Sequence, residues 1–112
     1  MHLETVLPAS SERSDQQLAV FALINLGLLE SLANGLVSPS EAVRVMFNSE
    51  NGQFVRKRLG DKTADELMSR GVQLPDLFDA LPAEEAHREF QRELAAMRSL
   101  CHKLLDGRRL VA

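Results

Sequence analysis

Tryptophan and tyrosine are absent from this chain of 112 residues, and its only aromatic side chains besides three histidines are five phenylalanines. Its core must therefore be built from leucine, valine, alanine and methionine, a set that suits helix packing better than a β-sandwich. There is one cysteine, Cys101. A single cysteine makes no internal disulfide and gives no sign of a secreted, disulfide-stapled scaffold. No Cys-x-x-Cys or His-Glu-x-x-His pattern occurs, and no glycine-rich loop suited to phosphate.

A basic surplus is also lacking. The formal net charge is −3, divided as −3 over residues 1–38, +1 over 39–73 and −1 over 74–112. None of these segments has the cationic excess that a phosphate backbone selects. The run Arg56-Lys57-Arg58 reads as a solvated face among acidic neighbours rather than as a nucleic-acid patch. The residues ahead of the first apolar run hold Glu4, Glu12 and Asp15 against Arg13, where a secretory signal would be positive. A cytoplasmic location is the default expectation.

What the chain does have is one strongly apolar stretch, Leu18–Ala33. Leu18, Phe21, Asn25, Leu28 and Leu32 recur at alternating three- and four-residue steps, which is one face of a helix. Ala22, Leu26 and Leu29 widen that face. A membrane span needs about 20 apolar residues. The clean run here is shorter, carries Asn25 and ends at Glu30, so a buried helix of a soluble domain is expected. Ser14 with Gln17 has the form of a capping box, and Asn34-Gly35 supplies a stop. The spacing predicts a helix over about 15–34. Gly27 inside it is a cost unless another backbone packs close there.

Residues 1–13 contain Pro8 and a serine pair and show no helical period. They are expected to form a flexible arm, with Leu3, Val6 and Leu7 available to tuck onto the single helical domain of residues 14–112. Ser38-Pro39-Ser40-Glu41 combines an N-cap serine, a first-position proline and a capping-box glutamate. A helix should follow it, then a turn at Asn48–Gly52, then a short helix over Gln53–Leu59 closed by Gly60. A β-hairpin centred on Asn48–Gly52 is the rival reading of residues 43–59. A helix-turn-helix reading of the same stretch lacks a third supporting helix. Thr63 with Glu66 looks like a further capping box, opening a helix that Gly71 ends, and Leu77, Phe78 and Leu81 follow as a lid over the core.

Pro82 opens the last and longest helix, about 82–106, with Glu84 and Glu85 in its first turn, Lys103 near its end and Gly107 as its stop. Along it Ala83, His87, Phe90, Leu94, Met97, Cys101 and Leu104 step by four and three in alternation. This is a heptad stripe of about three repeats. The sequence thus predicts an all-α bundle in which two long antiparallel helices carry short helices between them. His87, Phe90, Leu94, Met97, Cys101 and Leu104 are the expected interface of a homodimer.

No enzyme is expected, and no cofactor. The function that fits is a non-enzymatic interaction protein, acting as a homodimer or as a small acidic partner or inhibitor of another protein, with no nucleic acid and no membrane involved. Two alternatives compete with it. Glu84 and His87 form a Glu-x-x-His pair of the kind helical di-iron bundles use, and Glu30 on the central helix supplies a further carboxylate for a metal-binding bundle. A weak nucleic-acid-associated regulator is the other. Cys101 lies on the apolar stripe, where a thiol behaves as a small hydrophobe.

Overall fold

A computed structural model describes residues 1–7 and 14–106. Those residues form an all-α fold with no strand among them. In chain order the helices are α1 (Leu3–Val6), α2 (Ser14–Ala33), α3 (Pro39–Val45), α4 (Ser49–Phe54), α5 (Lys62–Val72), α6 (Leu74–Ala80) and α7 (Ala83–Leu105). Helix α4 runs without a break into a π-helical turn over Val55–Leu59, so the hairpin reading of residues 43–59 does not hold.

The two long helices α2 and α7 pack on each other over the most extensive contact in the molecule. Helix α2 contributes Leu18, Phe21, Ala22, Leu29 and Leu32, all buried. Helix α7 contributes Phe90, Leu94, Met97, Cys101 and Leu104, also buried. The heptad stripe is therefore satisfied within one chain. Leu28, expected on the inner face, is only half-buried and Leu29 takes its place at 0% exposure. Asn25 lies fully buried among the apolar residues of α2. Its Nδ2 donates to the Phe21 carbonyl one turn back, while its Oδ1 meets no donor among the described residues. An orphaned buried acceptor of this kind costs about 1–3 kcal/mol.

The helix ends follow local chemistry. Helix α2 closes in a Schellman motif: the Leu36 amide donates to the Ser31 carbonyl, the Gly35 amide to the Leu32 carbonyl, and Gly35 sits at φ +72°. Ser38 and Glu41 form the expected capping box at α3. The amide of Ser38 and then its hydroxyl hold the Glu41 carboxyl below the usual carboxylate range. Asn48–Gly52 is the start of a helix rather than a turn, because the Asn48 side chain caps α4 by accepting from the Asn51 amide. Asp61, not Thr63, caps α5, accepting from the Thr63 and Ala64 amides. The cap at Ser14 and the stop at Gly107 lie outside the described side chains.

Two side chains lock the short helices to the core. Asn51 is buried and binds the first residues of the chain. Its Oδ1 accepts from the Leu3 amide at 3.0 Å, and its Nδ2 donates to the Met1 carbonyl at 2.9 Å and the Met46 carbonyl at 3.0 Å. Residues 1–7 are thereby fixed into the body, where the sequence showed no helical period. Of the three residues expected to tuck in, Leu3 and Leu7 are buried and Val6 stays exposed. The second lock is the fully buried ring of Phe47, which lies directly against the backbone of α5 at Gly71. Gly71 is accordingly inside α5, not its stop.

The two helical glycines Gly27 and Gly71 make opposite demands. A Cβ at Gly71 falls inside the Phe47 ring, whereas one at Gly27 meets nothing within 4 Å. Gly71→Ala should lower stability by about 1–3 kcal/mol through overpacking. Gly27→Ala should raise it by about 0.5–1 kcal/mol through helix propensity. Chemical denaturation of both variants checks the pair, and equal shifts of one sign would refute this placement of the Phe47 ring.

Candidate functional site

The residues singled out by the sequence are separated by burial. Of the expected interface, Phe90, Leu94, Met97, Cys101 and Leu104 are buried between helices of the same chain, and His87 alone is exposed. A second copy cannot reach those five without opening the core. The stripe looked like an interface because a heptad repeat cannot distinguish a partner helix in the same chain from one in another.

Glu30, Glu84 and His87 are all exposed. Glu30 takes part in the end of α2, its Oε1 accepting from Asn34 Nδ2 at 2.9 Å. Among the described residues no group of three or more histidine, cysteine, aspartate or glutamate side chains is close enough to hold a metal ion. Among the described residues, the open face around Glu84 and His87 is lined by α7 alone.

Cys101 is fully buried, and burial pushes its thiol up to about 11 from an ordinary value of 9.0, against a smaller opposing pull from Arg98. The thiolate is the reactive form, so this thiol is inert at neutral pH. His102 points outward into solvent.

Two features that the sequence did not flag stand out. The first is the outer side of α2. This helix is long and apolar enough to cross a membrane by length and composition, yet only 44% of its apolar window is buried within the fold. The remainder holds Val20 and Ile24, half-buried, and Leu23, 43% exposed, beside the open Gly27. These positions follow i, i+3, i+4, i+7 and so form one strip. The sequence signal was the glycine itself, which no backbone among the described residues approaches.

The second is a cleft of about 490 Å³ between α5, α6 and α7. Leu77 and Ala80 give it an apolar side, over the fully buried Leu74. Glu66, Asp76, Glu89 and Glu93 surround it, against the one cation Arg70. Arg70 is clamped: its Nε donates to Glu66 and its Nη1 to Glu93, both at 2.9 Å, and these bonds, Glu93 first, raise its pKa further. The Arg70–Glu93 pair joins α5 to α7 across 23 residues of sequence, which no periodicity announces. Glu89 pairs with the exposed Arg92, and Asp76 makes no ion pair with a described residue.

The raised thiol gives a measurable consequence. Cys101 should resist an aromatic disulfide reagent at pH 8 in the native protein and react at once in denaturant. Because the folded state holds the proton more tightly than the unfolded chain, its contribution to stability is complete below about pH 9 and is lost as pH rises towards 11. Rapid modification of the native thiol would contradict its burial.

No curated protein and no solved structure matches the chain. Residues 12–109 match a protein family described as a protein of unknown function, DUF3969. That match spans α2 to α7, the whole of the two-helix core and the cleft beside it, and the chain belongs to this family.

Proposed function

We propose that the protein is a non-enzymatic interaction protein that works as a homodimer, with the outer strip of α2 as the contact between copies. The observation that supports this reading is the apolar strip on the most hydrophobic helix of the chain, with Leu23 and Gly27 exposed and Val20 and Ile24 half-buried among the described residues. Apolar surface in a contiguous band is what association removes from water. A glycine with open space beside it admits a second helix at close range, which gives Gly27 a backbone partner that the described residues of its own chain do not provide.

A two-fold axis is the commonest symmetry of protein assemblies, and it presents the same strip from both sides. Antiparallel pairing centred on Leu23 sets Glu30 opposite Gln16 of the partner subunit, so no two carboxylates meet. The buried stripe of α7 stays internal in this arrangement.

Sedimentation at micromolar concentration should return twice the 12.4 kDa chain mass. Leu23→Glu, at a partly exposed position, should leave the helical spectrum unchanged and return the single-chain mass. A wild-type monomer at these concentrations, or a Leu23→Glu variant that stays dimeric, would overturn the assignment.

A further inference from the structure

Residues 39–73 carry six bases against five acids, and in the sequence the run Arg56-Lys57-Arg58 looks balanced by its neighbours. The fold separates the two signs. Glu41 accepts from the Ser38 amide, Glu50 lies 3.0 Å from His2, Asp61 caps α5, and Glu66 holds Arg70. Each of these four carboxylates already faces an N–H group or a cation. Arg56, Lys57, Arg58 and Lys62 are all exposed, and none makes an ion pair with a described residue.

The first three of these cations occupy the π-helical turn, held in place by the buried Val55 and Leu59 at its two ends. Such turns are rare and recur at functional sites. Arg56 also lines a groove of about 300 Å³ between α4, with its π-helical turn, and α5. No carboxylate lines this groove among the described residues, in a chain with more acids than bases. Ser49, Gln53 and Ser69 add hydrogen-bonding groups to its walls. Val72 lies on its α5 side, 48% exposed, over the buried Met68. Lys62 stands two turns before Ser69 on α5, and so on the same face.

Cation and exposed aliphatic surface side by side select the occupant. A nucleic-acid backbone would use the cations but has no apolar side chain to set against Val72. Its bases would need an aromatic platform, and the phenylalanines nearest in sequence, Phe47 and Phe54, are buried. An acidic peptide that also carries a large apolar side chain uses both halves of the site.

We propose that the groove between α4 and α5 binds an acidic segment of another protein, with its carboxylates on Arg56, Lys57 and Arg58 and an apolar side chain against Val72. The site uses no residue of the α2 strip and holds whether or not two copies pair there.

The test pans a phage-displayed library of random short peptides on the full chain. Enriched sequences should combine an excess of Asp and Glu with a branched or aromatic residue. Their affinity, measured by fluorescence anisotropy on the synthetic peptide, should fall as salt shortens the screening length. A variant with Arg56→Gln, Lys57→Gln and Arg58→Gln should bind about tenfold or more weakly. Val72→Ser should lose at least about threefold. All four positions are exposed, and an unchanged circular dichroism spectrum and melting temperature confirm that the variants fold. No enrichment, enriched peptides without an acidic excess, or equal binding by the triple variant would overturn the proposal. Binding that ignores Val72→Ser, or tighter binding of duplex DNA or single-stranded RNA at the same turn, would mark a plain polyanion site and overturn it as well. Leu23 is untouched throughout, so the outcome is separate from that of the dimer contact on α2.

Discussion

Everything in this structure hangs on the packing of α2 against α7. They are the two elements long enough to bury a continuous face, and each supplies what the other lacks. Helix α2 brings an apolar surface so wide that one neighbour cannot cover it, and α7 brings a strictly spaced stripe with charge on its other side. Burying Phe21, Leu29, Leu94 and Met97 together withdraws four large side chains of an aromatic-poor core from water. At about 1.5–3 kcal/mol for each large apolar side chain fully buried, this seam outweighs any single polar contact in the molecule. The orphaned Oδ1 of Asn25 is tolerated inside it for that reason.

The short helices are dependent on that seam in a definite order. Phe47 seats α3 on α5 by occupying the space a side chain at Gly71 would need. Arg70, one residue earlier, ties α5 to α7 through Glu93. Asn51 then gathers the chain start, the α3–α4 connection and α4 through one buried amide. Each lock is local and specific, but each attaches to a surface that α2 and α7 have already made. The same arrangement exposes what is left over: the outer strip of α2, and the cleft where α5 and α6 meet the first half of α7.

Most of the architecture could be read from the residues, because helix periodicity and caps are local properties. The two long helices, the capping box at Ser38 and the stop at Gly35 all come from spacings of a few residues. What stayed hidden depends on long-range contact. Gly71 reads as a helix stop until Phe47 is found against it. Asn48 reads as a turn residue until its side chain is seen to cap α4. The α7 stripe reads equally well as an internal seam or a dimer seam, and burial of Leu94 and Met97 decides for the first. On the candidate surfaces, periodicity marked the α7 stripe, whose Phe90, Leu94, Met97, Cys101 and Leu104 are buried within the chain. The uncovered strip of α2 was concealed by being apolar all round, and the acidic cleft is assembled from three helices whose charges are unremarkable in sequence.

The primacy of the α2–α7 seam is most directly tested by native-state hydrogen exchange. Helices exchange through openings whose free energies range from near zero to the full stability of the fold. If the account is right, the amides of Phe21–Leu32 and Phe90–Leu104 share one slowest class and open only with global unfolding, while α3, α4 and α6 exchange through smaller openings. Slowest exchange in α5 and α6, with α2 opening at lower free energy than α7, would contradict it.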